Sequence, residues 1–264
     1  MYLTKANPSI SLPFFKRKFL VVIIIPFISF SCVDTNTEEN VGSENITNNE
    51  VEQIELDLNE PTEEITTIEI PNNYDIISET IGDVDGDGVE DKIMVLNTDR
   101  TTGVGIEREI RIYTKLENMW SLWQTIVGPV LASESGGTMG DPFEEIIISN
   151  GEIKISHFGG SNSKWSFTHS YQFINEDLHL NSATLVYYQN CVFNETYTYD
   201  LNNNSGYHIR QIETCDANGA NIGKTADIEE LLTLKKEQNA PLMNGFVPGE
   251  TEVLVSGGEG VYYY

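Results

Sequence analysis

The sequence predicts a mainly β fold of antiparallel hairpins and meanders, with one α-helix in its C-terminal half; an α+β arrangement is the alternative. Three observations point there. The 264 residues include 21 Gly, 12 Tyr and 11 Phe, types that favour turns and pleated surfaces. Several segments alternate apolar and polar residues, the period of a half-buried strand. Asn150-Gly151 stands between two such segments, and this pair favours the two-residue turn whose twist matches a hairpin.

The folded part is expected to start near Tyr74, with the domain spanning 73–264. The apolar run KIMVLN follows an Asp-rich stretch and reads as a strand, and Glu109–Leu116 and part of Met119–Val127 alternate. About Asn150-Gly151, a register in which opposed positions sum to 301 pairs Ile146 with Ile155 and Ile148 with Ile153 on one face, and Phe143 with Phe158 further out. Strands are expected at Trp165–Ile174, Leu178–Tyr188, Cys191–Asp200 and Tyr207–Cys215. Leu201–Gly206 is the turn of the last pair, in a register summing to 406. Cys191 then faces Cys215, Tyr197 faces Ile209 and Tyr199 faces Tyr207, which predicts a Cys191–Cys215 disulfide. The helix is placed at Asp227–Lys236. Asp227 caps it with Glu230 three residues on. Ile228, Leu231 and Leu232 make an apolar face, and Lys235 and Lys236 suit its C-terminal dipole. A short strand at Glu252–Val255, a Gly-rich turn and Val261–Tyr264 close the chain.

Charge separates the chain into parts. The formal charge is −26. All four basic residues before Cys32 (Lys5, Lys16, Arg17, Lys18) precede a twelve-residue apolar run, Phe19–Phe30, and no acid does. That run is shorter than the ~20 residues needed to span a bilayer and has the form of a secretory signal. Removing residues 1–31 leaves 11 basic residues against the 41 acidic ones, a charge of −30, which disfavours nucleic acid as a partner and favours cations. The stretch Val33–Pro71 holds twelve acids and no aromatic residue. It cannot bury enough apolar surface to offset its ordering entropy, so 32–72 reads as an acidic tether.

With Ser29-Phe30-Ser31-Cys32 after the apolar run, the N-terminus resembles that of bacterial lipoproteins. The resemblance implies lipidation of Cys32, a membrane anchor through that lipid, and a place in the bacterial cell envelope. Val33, rather than Asp, after the Cys gives no inner-membrane retention signal by the same analogy. If Cys32 carries lipid, Cys191 and Cys215 are the two cysteines left to pair in an oxidising compartment.

The sharpest motif is Asp83-Val-Asp85-Gly-Asp87-Gly88-Val89-Glu90-Asp91. Ca²⁺ takes six to eight hard oxygens in a flexible cage, and ligands at loop positions 1, 3, 5, 7 and 9 wrap a short turn round one ion. The expected ligands are Asp83, Asp85, Asp87, the Val89 carbonyl and Asp91. The motif resembles the calcium loops of EF-hands and of exported FG-GAP or VCBS-type proteins. Met94 stands where an EF-hand has its bidentate Glu, and a strand follows rather than a helix, so the resemblance implies the exported β type. A second candidate is a polar patch from two Gly-rich segments, 136–143 and 158–165, holding Thr138, Asp141, Ser161, Asn162, Lys164 and Trp165; turn chemistry alone also accounts for such segments. These features together resemble uncharacterised exported lipoproteins.

The sequence has no nucleophile elbow, phosphate loop, zincin motif or dinucleotide fingerprint, and the four histidines lack metal spacing. Tyr187, Tyr188, Tyr197 and Tyr199 read as core or sheet face. The function expected is that of a lipid-anchored, calcium-bearing, non-enzymatic binding module facing a protein or glycan partner. The alternative is an extracytoplasmic hydrolase at the Gly-rich loops.

Overall fold

A computed structural model describes residues 68–117, 119–235, 240–256 and 262–264. The chain divides into two units, 1–60 and 61–264, and every described residue belongs to the second. The signal segment, Cys32 and most of the acidic tether lie outside the described residues.

Eleven strands form two antiparallel sheets. The first contains β1 (Asp75–Gly82), β2 (Asp91–Thr102), β3 (Gly105–Leu116) and β4 (Met119–Val127). The second contains β5 (Phe143–Ser149), β6 (Glu152–Gly160), β7 (Lys164–Ile174), β8 (Asp177–Gln189), β9 (Phe193–Asp200), β10 (Ser205–Cys215) and β11 (Asn221–Thr233). Each is a meander in which spatial order follows sequence order. A small pair, β12 (Glu252–Val253) and β13 (Tyr262–Tyr263), completes the fold.

The two large sheets share one core. Ile93, Val95, Ile110, Ile112 and Ile126 of the first meet Ile153, Ile155, Tyr171, Leu180, Leu185 and Tyr199 of the second in a single buried cluster. This follows from the period-two alternation of each strand, which sends one set of side chains inward. The Trp123 and Phe173 rings meet edge to face across the sheets at 5.2 Å. The other face of the first sheet carries a smaller cluster, Met94, Leu96 and Tyr113, with Ile68, Ile70, Tyr74 and Trp120 packed on it. Packed residues thus begin a few positions before residue 73.

The expected helix at Asp227–Lys236 is not formed. Residues 227–233 belong to β11, and Leu234 bridges to Val255; Lys236 lies outside the described residues. An isolated ten-residue helix is marginal in water, whereas β10 offers these residues a full ladder. In strand form Leu232 is buried at 5% exposure while Leu231 is 86% exposed, so Leu231 leaves the face that Ile228 and Leu232 keep. Glu229 accepts a hydrogen bond from the Tyr207 hydroxyl, and Glu230 lies 2.8 Å from His208 Nδ1. These cross-strand pairs replace the cap.

Two registers also need correction. The Asn150-Gly151 hairpin pairs Ile146 with Ile155 and Ile148 with Ile153 as expected, but a bulge at Glu144 sets Phe143 opposite His157 rather than Phe158. In the β9–β10 hairpin Tyr197 faces His208 and Tyr199 faces Gly206, one position from the expected partners, because the turn takes four residues, 201–204. Cys191 and Cys215 are nevertheless bonded, with Cα atoms 5.2 Å apart. Cys191 lies just before β9 at a φ of 64°, and this turn of the backbone brings it back to Cys215.

Candidate functional site

The Asp-rich loop connects β1 to β2, whose ladder ends at the pair Gly82–Asp91. Its carboxylates organise the turn. Asp83 accepts from the Gly86 amide at 2.7 Å and the Gly88 amide at 3.0 Å. Asp85 accepts from Asp87 N, and Asp87 from Val89 N. Gly86 and Gly88 have φ of 80° and 86°, the left-handed region where a side chain is strained. At the foot of the loop, Asp91 is 2% exposed and accepts from the Val84 amide at 2.9 Å.

Among the expected ligands, Asp83, Asp85 and Asp91 each present a carboxylate oxygen, all within 4.8 Å of one another. Asp87 is not in this group, and its Oδ1 takes the Val89 amide. The donor chemistry fits a hard divalent cation. Burial pushes the Asp91 carboxyl up from its ordinary value against the Val84 amide and the Thr114 hydroxyl; the charges of Asp85 and Asp87 push the same way as burial. A cation among these oxygens would reverse that balance.

The two Gly-rich segments do come together. Gly137 bridges Gly160, the Gly160 amide donates to Gly136 O, and the Thr138 hydroxyl donates to Gly160 O. Their polar groups turn to local partners. Lys164 Nζ donates to Ser161 O. The Trp165 ring stacks on Phe167 at 4.5 Å; a Cβ on Gly159 would lie 2.3 Å from that indole, which accounts for this glycine. Ser161 and Asn162 lie exposed in the turn.

Asp141 belongs to a different arrangement. It receives both terminal nitrogens of Arg108, one at 2.7 Å, and the Phe143 amide at 2.9 Å. The Arg108 side chain is 1% exposed and that of Asp141 52%. Arg108 Nε donates to Asn97 Oδ1 at 3.1 Å and Nη1 to Leu131 O at 3.2 Å. Burial raises the Asp141 carboxyl, but the Arg108 hydrogen bonds, the Phe143 amide and the Arg108 charge outweigh it and hold the group below its ordinary value. Beside the pair, His157 Nε2 accepts from the Leu131 amide at 3.2 Å. Burial, then the Arg108 charge, lowers His157 to about 4. His169 is lowered to about 3 by burial and by His157. Arg108 was missed by sequence reasoning. Its signal is the row Arg108, Ile110, Ile112 on the inward face of β3, a cation among core isoleucines.

A cleft of about 430 Å³ opens beside this junction, its walls including Val104, Arg108, Val130, Leu131, Val247 and Glu250. Tyr197 and Tyr199 pack in or on the core, and Tyr187 packs against it. His208 stacks on Tyr197 at 4.2 Å and lies between Glu195 and Glu230.

Fold and loop together define a class: a two-sheet antiparallel β domain with an acidic turn able to hold a cation. No family model, curated protein or solved structure matches the chain.

Proposed function

We propose that this chain is an exported, lipid-anchored protein of the bacterial envelope, facing the periplasm or the cell surface. Its β domain carries one structural Ca²⁺ and works as a non-enzymatic binding module for a protein or glycan partner. The observation that carries the metal part is the grouping of Asp83, Asp85 and Asp91 oxygens within 4.8 Å at the end of the β1–β2 ladder. Asp87 and the Val89 carbonyl complete the ligand set when the ion binds. The anchor rests on the basic segment, the apolar run and Cys32. The strongly negative charge argues for a partner that is not a nucleic acid.

Calcium titration of the melting temperature tests the metal. With a Kd of ~0.1 mM, the tight end for extracellular modules, ~1 mM free Ca²⁺ adds about 1.4 kcal/mol to the folded state by mass action. Magnesium gives a smaller shift, Asp85→Ala removes the response, and Glu90→Ala keeps it. Equal melting in EDTA and in millimolar calcium refutes the site. For the anchor, mass spectrometry of the mature protein should find acylated Cys32 at its N-terminus, and Cys32→Ser should abolish the modification. An unmodified, internal Cys32 in the mature chain rules the anchor out.

A further inference from the structure

We propose that His157 is an acid-released latch on residues 128–142, the segment that joins the two sheets. Leu131 in this segment is gripped through both of its backbone polar groups. Its carbonyl accepts from Arg108 at 3.2 Å and its amide donates to His157 Nε2 at 3.2 Å. The second grip requires an unprotonated Nε2, so Nδ1 carries the ring proton. That nitrogen is buried with no hydrogen-bond partner among the described residues. The ring is 1% exposed and meets Phe143 edge to face at 6.2 Å.

The charged and titratable groups around it are Arg108 from β3, Asp141 from the joining segment and His169 from β7. Arg108 already holds Asp141 through two hydrogen bonds, so a second cation beside it has no counter-ion of its own. A proton on Nε2 turns the acceptor into a donor facing the Leu131 N–H. The hydrogen bond is lost, and the ring gains by leaving the core. Nearby, the segment is also held by Ser133 N on Ile106 O and Glu134 N on Val104 O, and neither contact senses protons in this range. Release therefore centres on Leu131. Val130, Leu131, Ala132 and Ser135 wall the cleft, so its shape follows the latch.

The direction follows from linkage. The closed ring titrates at about 4 against an ordinary 6.5. The closed form keeps its full advantage above the ordinary value and loses it as pH falls toward the closed value. Opening then rises about tenfold per pH unit across that window, roughly 300-fold in all. The latch rests on the Leu131 contacts and is independent of the calcium and anchor readings.

Amide hydrogen exchange on the whole domain, corrected for intrinsic rates, tests it between pH 6.5 and 4. The Leu131 amide should lose protection about tenfold per unit, while the amides of Ile153 and Ile155 in β6 stay better protected than Leu131 at every pH. His157→Gln keeps an acceptor that does not titrate in this range, and should flatten the Leu131 profile. His169→Phe leaves the latch in place and should keep the slope. A flat Leu131 profile in the unaltered protein overturns the latch. So does an unchanged slope in His157→Gln, or equal protection of the Leu131 and β6 amides at every pH, which is global unfolding. Should His157→Gln not fold, the imidazole of the unaltered protein decides by NMR: a His157 titration midpoint matching the Leu131 profile supports the latch, and a mismatch rejects it.

Discussion

The Asp-rich loop and the Arg108–Asp141 junction handle charge in opposite ways. The loop gathers Asp83, Asp85, Asp87, Glu90 and Asp91 at one turn, and the carboxylates of its four Asp are met by backbone amides. The junction sets one guanidinium inside the core and surrounds it with protein: Asp141, Asn97 Oδ1 and Leu131 O. Amides satisfy hydrogen bonds but carry no full countercharge. On the proposed reading the loop is completed by an ion taken from solution, whereas the junction already holds its counter-ion. The loop is prominent in the sequence because its five acids fall within nine residues. The junction is not, because its parts lie 33 residues apart.

The largest expected effect lies at the junction. Asp141→Ala strands a buried guanidinium and should cost about 3–5 kcal/mol in urea unfolding. Arg108→Met should cost less, because the abandoned carboxylate is half exposed and can hydrate. If both cost the same, the contrast between a sealed cation and an open anion fails. The loop should give a smaller effect of opposite sign. The Asp91 carboxyl is pushed up by burial, so its ionisation opposes folding of the calcium-free domain. That relief is complete below the ordinary carboxylate value and is lost as pH rises through the raised one. At neutral pH, then, Asp91→Asn should raise the melting temperature in EDTA and abolish the response to calcium. A lower melting temperature in EDTA would mean that the ionised form stabilises the loop without a cation. Smallest is the surface pair Lys92–Glu79, 3.4 Å apart with Glu79 43% exposed. Glu79→Gln should change stability by less than ~0.5 kcal/mol, and a larger loss in the same urea assay would show that exposed pairs here act like the core one.

What could be read beforehand follows how local the deciding interactions are. The Ile146–Ile155 and Ile148–Ile153 pairs depend on a two-residue turn and on alternation, both visible in sequence. The disulfide survived a register wrong by one position, because Cys191 turns back outside the ladder. Asp227–Lys236 carries sound helix signals, yet the neighbouring edge of β10 and partners such as His208 for Glu230 lie outside that window and decide in favour of a strand. Phe143 lost its expected partner to a single bulge at Glu144, which no residue pattern announced. Asp141 was singled out as a ligand-patch residue, but its partner Arg108 lies 33 residues away in the first sheet. No local pattern connects them, although the inward row of β3 marked Arg108 as unusual.

The uninterrupted meanders bear on how the chain acquires its structure. Each strand of the two large sheets adds to one just made, so pairing needs only short loop closures, which favours fast folding. The first sheet can assemble before residues beyond 127 are available. The second grows hairpin by hairpin from Phe143. Docking of the two sheets brings Arg108 to Asp141, and residues 240–246 close back on β8 and the end of β4, with Leu180 N on Pro241 O and Gly245 N on Val127 O. On the proposed export reading, a chain that emerges progressively from a translocation pore is well matched to this order: its sheets can form in succession as they appear, and one then closes upon the other.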